Sequence, residues 1–161
     1  MKLFSRLHRL KIFPESRLLE FWPPFFFMGV KVKEVSDDYR HLHVKVPLKW
    51  YGRNLYGTMF GGWMCAVADP LPALLVQRIF RGTQVWTKRN SVDFLRPASS
   101  ALELRVHVTQ EDVNAIQAAL DDRGHATHTF RFPFKDKRER SVAMVTNVIY
   151  IRRKGEIALT D

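Results

Sequence analysis

With 161 residues, 46% of them hydrophobic, the chain can bury the core of one domain, and a single unit over residues 1–161 is the expectation. Lys and Arg outnumber Asp and Glu by 26 to 16, and the net charge of +10 asks for an anionic partner (nucleic acid, a membrane surface or a phosphorylated ligand) unless it merely solvates the surface. The lone Cys65 excludes an internal disulfide framework and fits a reducing compartment, with the cytoplasm as the default location.

The first stretch, MKLFSRLHRLKIFPESRLLEFW, is basic, and Arg6, His8, Arg9 and Lys11 interrupt anything resembling the apolar core of a signal peptide. Leu3, Phe4, Leu7 and Leu10, then Leu18, Leu19 and Phe21, recur at helical spacing on either side of Pro14. This predicts an N-terminal helical segment over about residues 1–22, in two pieces, ended by Pro23-Pro24. The segment packs on its own domain or lies on a membrane surface. Neither FWPPFFFMGV nor WMCAVADPLPALLV reaches the roughly 18–20 uninterrupted apolar residues of a membrane span, so none is expected.

From Phe25 the apolar period changes to two. Val30 and Val32 alternate with Lys31 and Lys33, and Leu42, Val44, Val46 and Leu48 with His41, His43 and Lys45, as in two antiparallel strands joined at Asp37-Asp38. A long apolar helix is expected next, from about Gly61 to Ile79. TQVWTKRNSVDFLRP, ALELRVHVT and HTFRFPF then read as strands, with Leu102, Leu104, Val106 and Val108, and Phe130, Phe132 and Phe134, pointing inward. Between the last two, EDVNAIQAAL places Val113, Ile116 and Leu120 at helical spacing and stops at Gly124. SVAMVTNVIYIRR, apolar at both parities, reads as a central strand covered on both faces. A long helix among antiparallel strands is an α+β layout.

The long helix is apolar nearly all round, so a sheet should wrap it. It carries one acid, Asp69, and a carboxylate buried among apolar neighbours is costly unless a partner or a chemical role compensates. A salt bridge to an arginine, or a cap on a helix restart at Pro70, would explain it without chemistry. At the other end Gly61-Gly62 opens the helix, where free N–H groups and the dipole favour an oxyanion; with Gly57 the same glycines would also suit a tight loop alone. Along a helix axis Gly61 and Asp69 stand about 12 Å apart. If they cooperate on one substrate they come from two copies, which predicts a dimer with the site at the subunit interface.

Asn54, five residues, Phe60, Gly61, Gly62, six residues and Asp69 resemble the N-x5-H-G-G-x6-D signature of hot-dog fold acyl-CoA thioesterases of the phenylacetate-pathway (PaaI-like) type. NLYGTMFGG followed by ADP, with FLRP downstream, looks more closely like the hot-dog branch grouped as DUF4442, often described as candidate thioesterases. The resemblance spans roughly residues 21–153. It implies the hot-dog fold, an antiparallel sheet wrapped around a long central helix, in a homodimer or dimer of dimers. It implies an acyl-CoA or other acyl thioester as substrate and no metal or redox cofactor, coenzyme A being part of the substrate. By position, Asp69 matches the carboxylate that activates water or attacks the thioester, Gly61 the backbone donor that polarises the carbonyl, and Asn54 the polar residue that holds the water or the loop. Phe60 stands where better-studied members have histidine, and a phenyl ring can neither donate a hydrogen bond nor move a proton. Either the glycine N–H and Asp69 suffice, or the chain binds acyl thioesters without hydrolysing them efficiently. The same absence disfavours a hot-dog dehydratase.

A coenzyme A carrier would need cations for its phosphates, and Arg89, Arg96, Lys135, Lys137 and Arg138 are available. Thr58 binds or caps beside the glycines, next to Phe60 and Gly62. Phe25 to Phe27, Trp50, Trp63 and Trp86 line an acyl pocket or pack the core. Cys65 in WMCAVA reads as core rather than nucleophile, and His125 and His128 lack the Cys or acid set that would complete a metal site. No RNA-binding, zinc or helix-turn-helix pattern supports a nucleic-acid partner.

Overall fold

The structure, a computed structural model, describes residues 19–154. The helical piece expected around Leu3 to Leu10 lies outside the described residues; of the second piece, residues 19–21 are helical. Pro23-Pro24 ends that turn and also starts a new helix, α1 (Pro23–Met28), because a proline in the first turn lacks only an N–H that would have had no helical partner. Phe25 to Phe27 are therefore helical, not the start of a strand as their sequence position suggested, and only Phe25 of the three is buried.

β1 (Lys31–Val35) and β2 (His41–Val46) form the expected antiparallel pair. A 3-10 turn (Trp50–Gly52) and a loop lead to α2 (Gly61–Ala68) and α3 (Pro70–Ile79). There follow β3 (Thr83–Phe94), β4 (Leu102–His107), α4 (Gln110–Arg123), β5 (His125–Lys135) and β6 (Ser141–Arg153). The strands make one antiparallel sheet in the order β1-β2-β4-β5-β6-β3. Among the described residues β3 thus lies at an edge, 12 residues long and paired only with β6.

Alternation decides which face of the sheet is buried. Leu102, Leu104 and Val106 of β4 and Phe130, Phe132 and Phe134 of β5 are buried as their spacing predicted, and with Val145, Ile149 and Ile151 of β6 and Leu71, Leu75 and Val76 of α3 they form the core. Each such side chain is worth about 1.5–3 kcal/mol by burial. β6 is buried on the helix side and half-buried on the other, so its apolar outer residues do not mark a strand covered on both faces. α4 packs on β5 through Ile116 and Leu120 and ends at Gly124.

The helix expected over Gly61–Ile79 is two helices. Asp69 keeps helical dihedrals (φ −52°, ψ −55°), but Pro70 and Pro72 offer no N–H to the carbonyls of Ala66 and Ala68, and the ladder breaks. Nor does the sheet wrap every side. Met64, Val67, Ala68 and Leu71 are buried, while the opposite stripe leaves Gly62 half-buried and Ala66 and Asp69 exposed.

Candidate functional site

The loop before α2 is built on Asn54. Its side-chain oxygen accepts from the backbone N–H groups of Tyr56 (3.0 Å) and Thr58 (3.2 Å), and its amide donates to the Thr58 hydroxyl (2.9 Å). Its backbone N–H and carbonyl pair with the Thr58 carbonyl and the Gly57 N–H. Gly57, at φ 75°, supplies the left-handed turn that closes the loop. Asn54 and Thr58 are thus engaged with each other, and Asn54 holds the loop together.

Bonds from the Met59 N–H to the Ala98 carbonyl and from the Phe60 N–H to the Gly52 carbonyl, both 2.9 Å, deliver the chain to the start of α2. There Phe60 is the N-cap residue. Among the described residues no side chain caps this end, and no acid lies in its first turn, so the leading N–H groups meet no side-chain acceptor there and nothing in that turn offsets the dipole. The Phe60 ring covers Gly62, where any Cβ would collide with it, and a Cβ on Gly61 would stand 2.9 Å from the Phe94 ring. Both rings are exposed, so a side chain at either glycine would push a ring aside, and the two glycines leave the rings lying against the start of the helix.

A cleft of about 710 Å³ opens here, lined by Asn54, Thr58, Gly61 and Met64 and by Phe94, Leu95 and Arg96 at the end of β3. Arg96 is exposed and donates to the Ser141 carbonyl (2.6 Å). Of the residues singled out in the sequence, the fold brings Asn54, Thr58, Gly61 and Arg96 together at one cleft, with Phe60 and Gly62 beside it.

Asp69 and Arg89 stand apart from that cleft. Asp69 is exposed, and among the described residues its carboxylate has neither a hydrogen bond nor an ion pair. This corrects the expectation of a buried acid: the curved sheet covers one side of the helix, and Asp69 falls on the other. Among the described residues it neither meets an arginine nor caps α3. Its backbone, by contrast, is held firmly. The Asp69 carbonyl accepts from the Thr87 hydroxyl (2.8 Å) and the Asn147 amide (3.1 Å). The Asn147 amide also reaches Asn90 Oδ1 (3.2 Å), and the Asn90 amide donates to the Cys65 carbonyl (3.0 Å). Asn147 is fully buried, with its Oδ1 unpartnered. Thr87, Asn90 and Asn147, none of which the sequence pattern picked out, fasten the α2–α3 junction to the sheet; the only signal was an amide inside the apolar run VTNVIYI.

Arg89 pairs with Val148 on the face of the sheet away from the helices. Lys135 meets Glu139 (3.2 Å), and Lys137 and Arg138 are exposed in the β5–β6 turn. Phe26, Phe27 and Trp50 are exposed rather than packed in the core. His128 pairs with Asp112 (2.7 Å) and His125 with the Arg123 carbonyl (3.0 Å), while Cys65 is half-buried. Among the described residues no cluster of His, Cys, Asp or Glu could hold a metal ion, and no helix is long and apolar enough to cross a membrane.

The same architecture occurs in solved structures at low sequence identity. The chain matches a Pseudomonas aeruginosa protein of unknown function, described as a probable thioesterase, with a TM-score of 0.77 at 18% identity over 88% of this chain and 97% of that one. It matches a Haemophilus influenzae thioesterase with a TM-score of 0.67 at 13% identity, over 91% and 95% of the two chains. For the E. coli PaaI protein of the phenylacetic acid degradation operon the values are 0.63, 16%, 86% and 89%. These likenesses show the hot-dog fold. No curated protein matches the chain. The model of a domain of unknown function, DUF4442, matches residues 14–151, which takes in the Asn54 loop, the start of α2, Asp69 and the three residues beneath it. On that match, and with the hot-dog architecture in place, the chain belongs to the DUF4442 family.

Proposed function

We propose that the chain is a thioester hydrolase acting on acyl-CoA or another acyl thioester, as a homodimer with the reaction at the seam between two copies. The observation that carries this reading is the contrast between the two ends of α2. One end, at Gly61, is uncapped and faces a cleft; the other bears an exposed carboxylate with no partner among the described residues. The two ends are about 12 Å apart along one helix, so a single copy cannot bring both to one carbonyl. A second copy can. The stripe of Gly62, Ala66 and Asp69 is small enough for close approach, and the 12-residue edge of β3 is a template for another strand.

In this reading the acyl group lies against Met64 and Phe94, and the Gly61 N–H, backed by the helix dipole, donates to the thioester oxygen. Asp69 of the partner subunit takes a proton from water as the water oxygen bonds to the carbonyl carbon. The oxyanion then collapses, the C–S bond breaks, and the proton passes to the departing thiolate, leaving acid and thiol. Thr87, Asn90 and Asn147 keep the Asp69 junction in place, and Arg96 at the cleft meets a phosphate of the carrier. No metal or redox cofactor is needed, and a coenzyme A ester as substrate suits a cytoplasmic location.

The test is thiol release from short-chain, long-chain and aryl acyl-CoAs. With Asp69→Ala and Asp69→Asn the turnover should fall by about 100-fold or more while circular dichroism stays unchanged. Phe60 favours a second reading, a non-catalytic acyl-thioester or lipid-binding protein, because a phenyl ring replaces a proton-moving group at the site. Saturable acyl-CoA binding with no thiol release from the native chain would establish it and end the hydrolase reading.

A further inference from the structure

The exposed aromatic surface does not stop at the cleft. Phe26 and Phe27 of α1 and Trp50 and Tyr51 of the 3-10 turn are 57%, 71%, 83% and 45% exposed. They are contiguous. The Phe26 and Phe27 rings lie 5.8 Å apart, the Tyr51 hydroxyl donates to the Phe27 carbonyl (3.0 Å), and the Tyr51 ring stands 5.3 Å from Trp50 and 5.7 Å from Trp63. So continuous an aromatic patch marks an interaction surface.

Charge indicates what covers it. Residues 21–33 and 47–68, which contain every residue of the patch, include no Asp or Glu, yet they carry Lys31, Lys33, Lys49 and Arg53, of which Lys31 is paired with Glu20 (3.0 Å). Lys49 holds its Nζ 5.5 Å from the centre of the Tyr51 ring. Trp and Tyr have an apolar body and a polar edge, and a lysine stem runs along apolar surface while its ammonium stays wet; these residues settle at the boundary between lipid headgroups and acyl chains. A second copy of the chain would set these cations against their own kind, whereas an anionic bilayer complements them.

We infer that this patch docks the protein on an anionic lipid membrane, with Phe27 and Trp50 entering the headgroup layer and Lys49 meeting lipid phosphate. Docking goes beyond the proposed hydrolysis and needs none of it. Trp63, in contact with Tyr51, belongs to the same turn of α2 as Gly61, so the docked face adjoins the cleft.

The test is flotation of the purified full chain with phosphatidylcholine vesicles that contain or lack phosphatidylglycerol. The native chain should float with the anionic vesicles, less so at high salt, and hardly at all with the neutral ones. The double variant Phe27→Ser/Trp50→Ser should bind the anionic vesicles about tenfold more weakly. Lys49→Glu should be weakened too, by a smaller factor. Circular dichroism and sedimentation report whether each variant folds and assembles as the native chain does. Three results would overturn the inference: no binding by the native chain, equal binding by the double variant, or a changed sedimentation mass in that variant, which would mean that a second copy covers the patch. None of these readouts depends on thiol release, so a failed docking and a failed hydrolase reading are told apart.

Discussion

α2 and α4 begin in opposite ways. α4 starts on Thr109, whose hydroxyl accepts the Asp112 N–H (3.1 Å) while the Asp112 carboxylate accepts the Thr109 N–H (2.8 Å), and Glu111 and Asp112 put negative charge in its first turn. α2 starts on Phe60, with no cap and no acid. A capping side chain is worth about 0.5–2 kcal/mol and needs one substitution. Stability alone would give both helices the same treatment. The chain closes the start of α4 and leaves bare the start of α2, which faces the cleft and is where an oxyanion could use the free N–H groups.

Giving α2 the end that α4 has should produce the largest effect. Phe60→Asp would lay a carboxylate across the Gly62 N–H and put negative charge where the proposed oxyanion forms. Thiol release should fall by about 100-fold. The thermal midpoint should hold or rise, since the new cap adds about 1 kcal/mol and the exposed ring gives up little burial. Undiminished turnover would show that the bare end has no part in the reaction. Asn54→Ala comes next. It removes the side-chain bonds that shape the loop, so stability should drop by about 1–2 kcal/mol in urea titrations and thiol release by about tenfold, because the loop positions one wall of the cleft. Thr109→Ala should cost a similar amount, about 1 kcal/mol, with thiol release unchanged. Altered turnover in that variant would break the contrast between the two helix ends.

How much of this was legible in the sequence depends on how local the signal is. Leu102, Leu104 and Val106, or Ile116 and Leu120, announce their faces by spacing within one element, and the structure buries them as expected. The interval from Asn54 to Gly61 lies within one loop and one helix start, so its residues reached one cleft. The exposure of Asp69 could not be read that way. A helix apolar on all sides carries no mark of which stripe the sheet will cover, and the choice was made by the order of strands. Asn90 and Asn147 illustrate the same limit, since they come from β3 and β6 and meet only because those strands pair. Phe25 to Phe27 were hidden for a different reason: a proline pair can end one helical turn and start the next, and nothing in Pro23-Pro24 itself says which.

The smallest effect is one of pH, and it separates the two helix ends again. Burial pushes the Asp112 carboxyl up, but the Thr109 N–H and hydroxyl, with His128 at 2.7 Å, outweigh it and hold that carboxyl below its ordinary value. A group with a depressed folded pKa stabilises the fold above its unfolded pKa and loses that contribution as pH falls through the folded one. The cap of α4 should therefore be fully present at neutral pH and fade in acid, below about pH 4. Thr109→Ala removes the hydroxyl from this set, so its urea midpoint should lie below that of the native chain at neutral pH, and the gap should narrow as the carboxylate is protonated, leaving the share due to the Asp112 N–H bond. Native α2 has no acid in its first turn to lose. Phe60→Asp would give it one, and the stability so gained should vanish over the same acid range. A gap between native and Thr109→Ala chains that stayed constant through that range would mean that the hydroxyl, and not the ionised carboxylate it helps to hold, accounts for the cap.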